Sequence, residues 1–239
     1  MKYFIFSILA ISISCSQVCI TGDGNLLDSK RELEPFNGIE FDFPADLIIE
    51  NTGGNHTRSI EILAQAAISD AITTKIKNGI LHISLKGCIS SYTPVTMKLY
   101  LDGPLSQIDL TGVGSVVSEE ILVLENASVS LTGSGKIYIK CTSNSRIETN
   151  ISGSGDIVLA GSAPELDINL TGSGNIEALG LQTSRAHVNQ TGSGNINLFV
   201  TDELGYSLTG TGDLLYRGNP TITEDKITGT GVVNRLSPN

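Results

Sequence analysis

Tryptophan is absent from this chain, and aromatic residues of every kind make up only 5% of its 239 positions. Large rings fill much of the core of an ordinary globule, so this composition, with its 26 glycines, suits a stack of thin coils better. Metal chemistry lacks its usual ligand sets. The three histidines (His56, His82, His187) are scattered, and the four cysteines (Cys15, Cys19, Cys88, Cys141) form no Cys-x-x-Cys pair. That spacing argues against a zinc or redox site, and neither metal nor cofactor is expected. Basic residues are outnumbered, 15 against 25 acidic, for a formal charge of −10. A polyanion repels nucleic acid and anionic lipid, so neither is an expected partner.

Long apolar runs are also missing. The longest, Tyr3 to Ile13, is too short to span a bilayer and, after Met1-Lys2, has the dimensions of a signal-peptide core. Export to the cell envelope or beyond is therefore expected. Two processing readings stand side by side. Ser12-Ile13-Ser14-Cys15 resembles a lipobox in which Cys15 is lipidated, although Ser12 replaces the usual leucine. Ordinary cleavage beside Ser14 or Ser16 would instead release a free protein. Residues 1–16 are read as the signal and 17–30, with Gly22-Asp23-Gly24-Asn25, as a flexible tether. An exported protein can hold a disulfide, but no pairing follows from cysteine positions alone.

What the chain does have is a repeat. Glycine pairs fall at Gly112/Gly114, Gly133/Gly135, Gly153/Gly155, Gly172/Gly174, Gly192/Gly194, Gly210/Gly212 and Gly229/Gly231, separated by 21, 20, 19, 20, 18 and 19 residues. A period near 20 means a solenoid of stacked coils. Within one repeat, Leu166, Ile168, Leu170, Gly172, Gly174, Ile176 and Ala178 alternate with Asp167, Asn169, Thr171, Ser173, Asn175 and Glu177. Strict period-2 alternation is a strand with one dry and one wet face. Glycine at the two inward positions marks a bend or a close backbone approach. The fold expected is all-β, a single-stranded parallel β-helix of about 20-residue coils, with the repeats over 106–239.

Residues 31–105 lie outside the repeat but in the same domain. Strands are expected around Phe36–Phe43, Ala45–Glu50, Ser59–Leu63, Gly79–Leu85 and Val95–Leu101, and Ile68, Ile72 and Ile76, four apart, suggest a short helix. This part either caps the stack or begins it with irregular coils, since an open edge invites aggregation.

The segments Phe36-Asn37-Gly38-Ile39, Gly79-Ile80-Leu81-His82-Ile83, Gly172-Ser173-Gly174-Asn175-Ile176, its copy at Gly192 to Ile196, and Tyr216-Arg217-Gly218-Asn219-Pro220 occur in that order. In this the chain resembles the head GIN domain family, named for auto-transporter adhesins. The resemblance covers about residues 31–233. It implies an exported bacterial β-solenoid, often a lipoprotein, with no catalytic residues.

Other chemistry finds little support. No Gly-x-Gly follows a strand and opens a helix with a phosphate-loop lysine, and only Asp156 and Asp213 follow a second glycine, which does not make a calcium array. The sequons at Asn55, Asn126, Asn150, Asn169 and Asn189 are largely by-products of the repeat. A carbohydrate-cleaving β-helix, lyase or hydrolase, is the alternative reading. It needs two carboxylates roughly 5 to 9.5 Å apart, whereas Asp156 and Asp213 are three coils apart, about 14 Å. Asp156, Asp167 and Glu177 are the carboxylates such an enzyme would draw on, and Lys136 beside Asp156 is read as a solvated ion pair. Stacking instead creates polar rows. Thr132, Thr171 and Thr191 precede the first glycine, Ser134, Ser154, Ser173 and Ser193 follow it, and Asn175 and Asn195 follow the second. These nine form the expected binding face for a glycan or protein on a surface. Competing with that role, hydroxyls at a bend can instead satisfy local backbone groups. The function expected is a non-enzymatic surface interaction or structural module, touching membrane only through a lipid anchor.

Overall fold

The computed structural model describes residues 19–53 and 58–237. The lipobox reading of Cys15 and the signal over 1–16 lie outside the described residues. Each repeat folds into one coil with two arms. Leu105–Gly112 is a first arm, and the chain turns at the glycine pair into Ser115–Gly133, which supplies the second arm of that coil and the first of the next. Asp156–Gly172, Asn175–Gly192 and Ile196–Gly210 likewise run unbroken round the corner opposite the glycines. Successive coils pair parallel and in register, glycine on glycine: Gly112, Gly133, Gly153, Gly172, Gly192, Gly210 and Gly229 form one ridge. About seven turns result.

The ridge is held by main-chain groups. Gly153 O accepts hydrogen bonds from Ser173 N (2.9 Å) and Gly174 N (3.1 Å), and Gly172 O accepts from Ser193 N (2.9 Å) and Gly194 N (3.3 Å). A Cβ on Gly172 or Gly174 would collide with the carbonyl oxygen of Gly153 or Gly155 one coil below. Gly172 also takes a φ of +124°, which side chains disfavour. Both glycines of the pair therefore answer one demand, the close approach of the preceding coil.

Alternation sends the apolar side chains inward. Val116, Ile137, Ile157, Ile176, Ile196 and Leu214 form a buried column through the second arms. The variable coil length is absorbed at the far corner. Register slips between Ser118 and Ile121, where Glu119 and Glu120 protrude, and again between Ala178 and Gln182. Insertions there leave the ridge undisturbed.

The N-terminal part both extends the stack and closes it. Gly38–Asp42 lies between Leu105–Gly112 and Ile80–Leu85, and Asp46–Asn51 lies between Ser115–Gly133 and Thr96–Leu101, all parallel. These are two further coils in non-sequential order. Beyond them pairing turns antiparallel. Ile72–Lys77 adds to Ile80–Leu85, Ser59–Gln65 adds to Thr96–Leu101, and Leu26–Glu32 adds outside that. The helix Ala66–Ala71 joins the two antiparallel edges and buries Ile68. Arg31 donates to Ser69 O and Ile72 O, both at 2.8 Å, placing a cation on the helix C-terminus.

Two expectations need correction here. Ile72 and Ile76 are in a strand, because β-branched Ile72-Thr73-Thr74 ends the helix after one and a half turns. The tether over 17–30 is structured over much of its length. Ile20–Thr21 pairs with Ile89–Ser91, Leu26–Glu32 forms an edge strand, and Cys19 is disulfide-bonded to Cys88. Cys141 is a buried free thiol, and burial pushes its pKa up to about 12.

At the opposite end, Thr221–Gly229 is exposed along its whole length. Its inward positions Ile222, Asp225 and Ile227 sit over Leu204, Tyr206 and Leu208. Burial, with Asp225 accepting from the phenol, pushes Tyr206 up to about 12. An inward carboxylate at the last coil discourages further strand addition.

Three outcomes follow. Gly174→Ala should destabilise the fold by about 2 kcal/mol or more, through backbone collision, while Ser173→Ala, outward beside it, stays within about 0.5 kcal/mol. Equal losses in chemical denaturation would overturn the ridge. Reducing the Cys19–Cys88 bond, which closes a separation of 69 residues, should remove about 2 to 4 kcal/mol. Cys141 should react with a thiol reagent only on unfolding, and rapid labelling in the native state would contradict its burial.

Candidate functional site

The nine residues of the expected binding face divide into two groups. Thr132, Thr171 and Thr191 stack in one register, and Ser134, Ser154, Ser173 and Ser193 stack two residues further on. All seven are exposed, and their hydroxyls make no hydrogen bond to protein among the described residues. Local backbone groups are therefore not what these hydroxyls serve. The bend turns both rows outward on either side of the bare glycine ridge. A strip results, charge-free along these two rows, with one rung about every 4.8 Å.

Asn175 and Asn195 behave differently. Asn175 Nδ2 donates to Asp156 Oδ1 (2.9 Å), and its Oδ1 accepts from Asn195 N (3.1 Å). Asn195 Oδ1 then accepts from Asp213 N (3.0 Å), and Asp213 Oδ1 from Val232 N (2.9 Å). The column is a continuous chain from coil to coil, so these amides hold the stack together. A second amide ladder runs up the first arm, from Asn189 to Asn169 (3.2 Å) and from Asn169 to Asn150 (2.9 Å).

The carboxylates that hydrolysis would draw on are similarly occupied. Asp156 accepts from Asn175 and lies 3.9 Å from Lys136, the ion pair expected. Glu177 accepts from Asn197 Nδ2 (2.7 Å) and Leu179 N (3.1 Å). Asp167 pairs with Arg146. Burial raises its pKa, and Arg146 works against that rise.

Two clefts were not visible in the sequence, because each draws on strands far apart in the chain. One, about 440 Å³, opens where the antiparallel cap meets the coils. In it Tyr100 donates to Glu61 Oε2 (3.2 Å), beside Lys30, Glu50, Asn51 and Glu120. Burial, and then Glu61, push the Tyr100 phenol up. The other, about 610 Å³, lies at the C-terminal end around Arg217. Signals were faint: Tyr100 alternates like any strand residue, and Arg217 stood out only as part of a family-like segment.

The model of a family described as "Putative auto-transporter adhesin, head GIN domain" matches residues 35–220. Among solved structures, a "putative adhesin" from Bacteroides fragilis NCTC 9343 is 23% identical, with 91% of this chain and 100% of that one covered, at a TM-score of 0.85. A "putative adhesin" from Parabacteroides distasonis ATCC 8503 is 23% identical over 92% and 100%, at 0.74. A "putative lipid binding protein" from the same strain is 20% identical over 92% and 100%, also at 0.74. Likeness at these identities establishes the shared fold. No curated protein matches the chain.

The amide column gives a test. Asn175→Asp puts a second carboxylate beside Asp156 and removes a donor. It should cost about 1 kcal/mol. A stability unchanged at neutral pH would show that the column carries no load.

Proposed function

The chain belongs to the head GIN domain family, and from that premise we propose that it is an exported, non-catalytic adhesive module gripping its ligand along the hydroxyl strip. One observation carries the reading. Two ranks of exposed hydroxyls repeat at coil spacing with no protein partner among the described residues. Each such hydrogen bond contributes about 1 kcal/mol net, roughly fivefold in affinity, so one rung is weak and several together are not. Polymers with repeated hydroxyl or amide groups, glycans foremost, match such a row. Membership of an adhesin family supports a surface role, and the Cys19–Cys88 disulfide suits an oxidising compartment outside the cytoplasm. Anchoring through a lipid on Cys15 completes the proposal, with residues 1–16 as the signal.

Multiplicity is testable on glycan-coated surfaces. Ser173→Ala alone should lower retention less than about twofold, while Ser154→Ala, Ser173→Ala and Ser193→Ala together should lower it by at least about tenfold, with melting unchanged. Turnover of any polysaccharide that one change at Asp156, Asp167 or Glu177 abolishes would overturn the adhesive reading in favour of an enzyme.

A further inference from the structure

The C-terminal cleft of about 610 Å³ is lined by Leu179, Phe199, Arg217, Gly218, Arg235 and Leu236 among others, and no carboxylate lines it among the described residues. In a chain with 25 acidic against 15 basic side chains, that is a notable local reversal. Arg58, Arg146 and Arg185 each pair with a carboxylate. Arg217 and Arg235 have none within ion-pair distance among the described residues.

The recess follows from coil length. Three residues, Leu179 to Leu181, have no counterpart in the next coil, where Ala178 pairs with Leu198 and Gln182 with Phe199. That bulge frees the carbonyl of Leu179 from the ladder. Arg217 pairs with Phe199 one coil further on and lies over its ring at 4.2 Å, and its Nη2 donates to Leu179 O at 2.7 Å. The guanidinium is thus clamped by one face and one nitrogen, leaving its other N–H groups open. A fixed guanidinium fork matches a carboxylate, and Arg235 adds a second charge. Leu179, Leu236 and the Phe199 edge supply apolar walls.

We propose that this cleft binds an organic carboxylate, its anionic end at Arg217 and Arg235 and its body against the apolar wall. Such a group is carried by acidic sugars and by fatty acids. The site is separate from the hydroxyl strip, so either can fail without the other.

Calorimetric titration of the full chain with D-glucuronate, octanoate and acetate decides the matter, with glucose and octanamide as uncharged counterparts. Glucuronate or octanoate should bind at least about tenfold tighter than acetate and than its own neutral analogue, and whichever is tighter identifies the source. Arg217→Gln and Arg235→Gln should each weaken that binding by about tenfold. Arg217→Lys, which keeps the charge and the fold but loses the fork, should recover only part. Absence of binding, equal binding of acetate, equal binding of the neutral analogues, or a Kd indifferent to Arg217→Gln in a protein of unaltered melting temperature would overturn the proposal.

Discussion

One carbonyl oxygen accepting two main-chain N–H groups from the coil above, repeated up the glycine ridge, sets the conditions for everything else in this molecule. The coils approach so closely at that bend that no Cβ fits between them. Because the ridge cannot tolerate a side chain or an extra residue, differences in coil length are displaced away from it, to register slips such as those after Ser118, Ala178, Thr183 and Leu204. The same closeness turns the residues before and between the glycines outward, with no neighbouring backbone group left for their hydroxyls to meet. The strip, the bulges and the C-terminal recess thus descend from a single backbone contact.

A stack built this way has two ends, and the chain treats them differently. At the N-terminal end it abandons parallel pairing. The antiparallel strands Ile72–Lys77, Ser59–Gln65 and Leu26–Glu32, and the helix between the first two, cover the last inward row, and Cys19–Cys88 ties down the outermost segment. The C-terminal end has no such cover among the described residues. Instead Asp225 takes an inward position above Tyr206, and Ile222 and Ile227 remain partly open. Covering favours stability, whereas a charge at an edge mainly prevents the wrong neighbour from adding.

The repeats were legible because the ridge imposes its demand at every coil, and Thr-Gly-Ser-Gly reports that demand directly. Arm direction, inward column and outward rows all followed from alternation around it. Over residues 31–105 the strands were legible but their stacking was not, because their order in space is not their order in the chain. Phe36–Asn51 lies between segments that come later, and no local pattern encodes an insertion of that kind. Leu26–Glu32 resembled a tether since an edge strand with polar residues on both faces has no alternation to show. Cys19 meets Cys88 beside the separate short pairing of Ile20–Thr21 with Ile89–Ser91, leaving Cys141 buried, a pairing that spacing does not reveal. The candidate face was half legible. Hydroxyl and amide columns look alike in sequence, but an amide carries its donor and its acceptor on separate atoms at the end of a longer side chain, and so can bridge two coils at once.

That difference in reach decides which polar rows are available to a partner. Asn175, Asn195 and Asp213, after the second glycine, point along the stack and use their oxygens on the next coil's backbone N–H, so removing one would leave a backbone donor without its acceptor. Thr and Ser beside the first glycine sit where the main chain has already satisfied itself through the glycine carbonyl. Their hydroxyls carry no structural duty, and a change there leaves no protein group unpaired. A surface able to vary its polar groups without endangering its fold is well suited to contacting other molecules. The clamped Arg217 reaches a similar state by another route. Its ring partner and the freed carbonyl of Leu179 hold it in place, so the rest of its hydrogen-bonding capacity is directed outward.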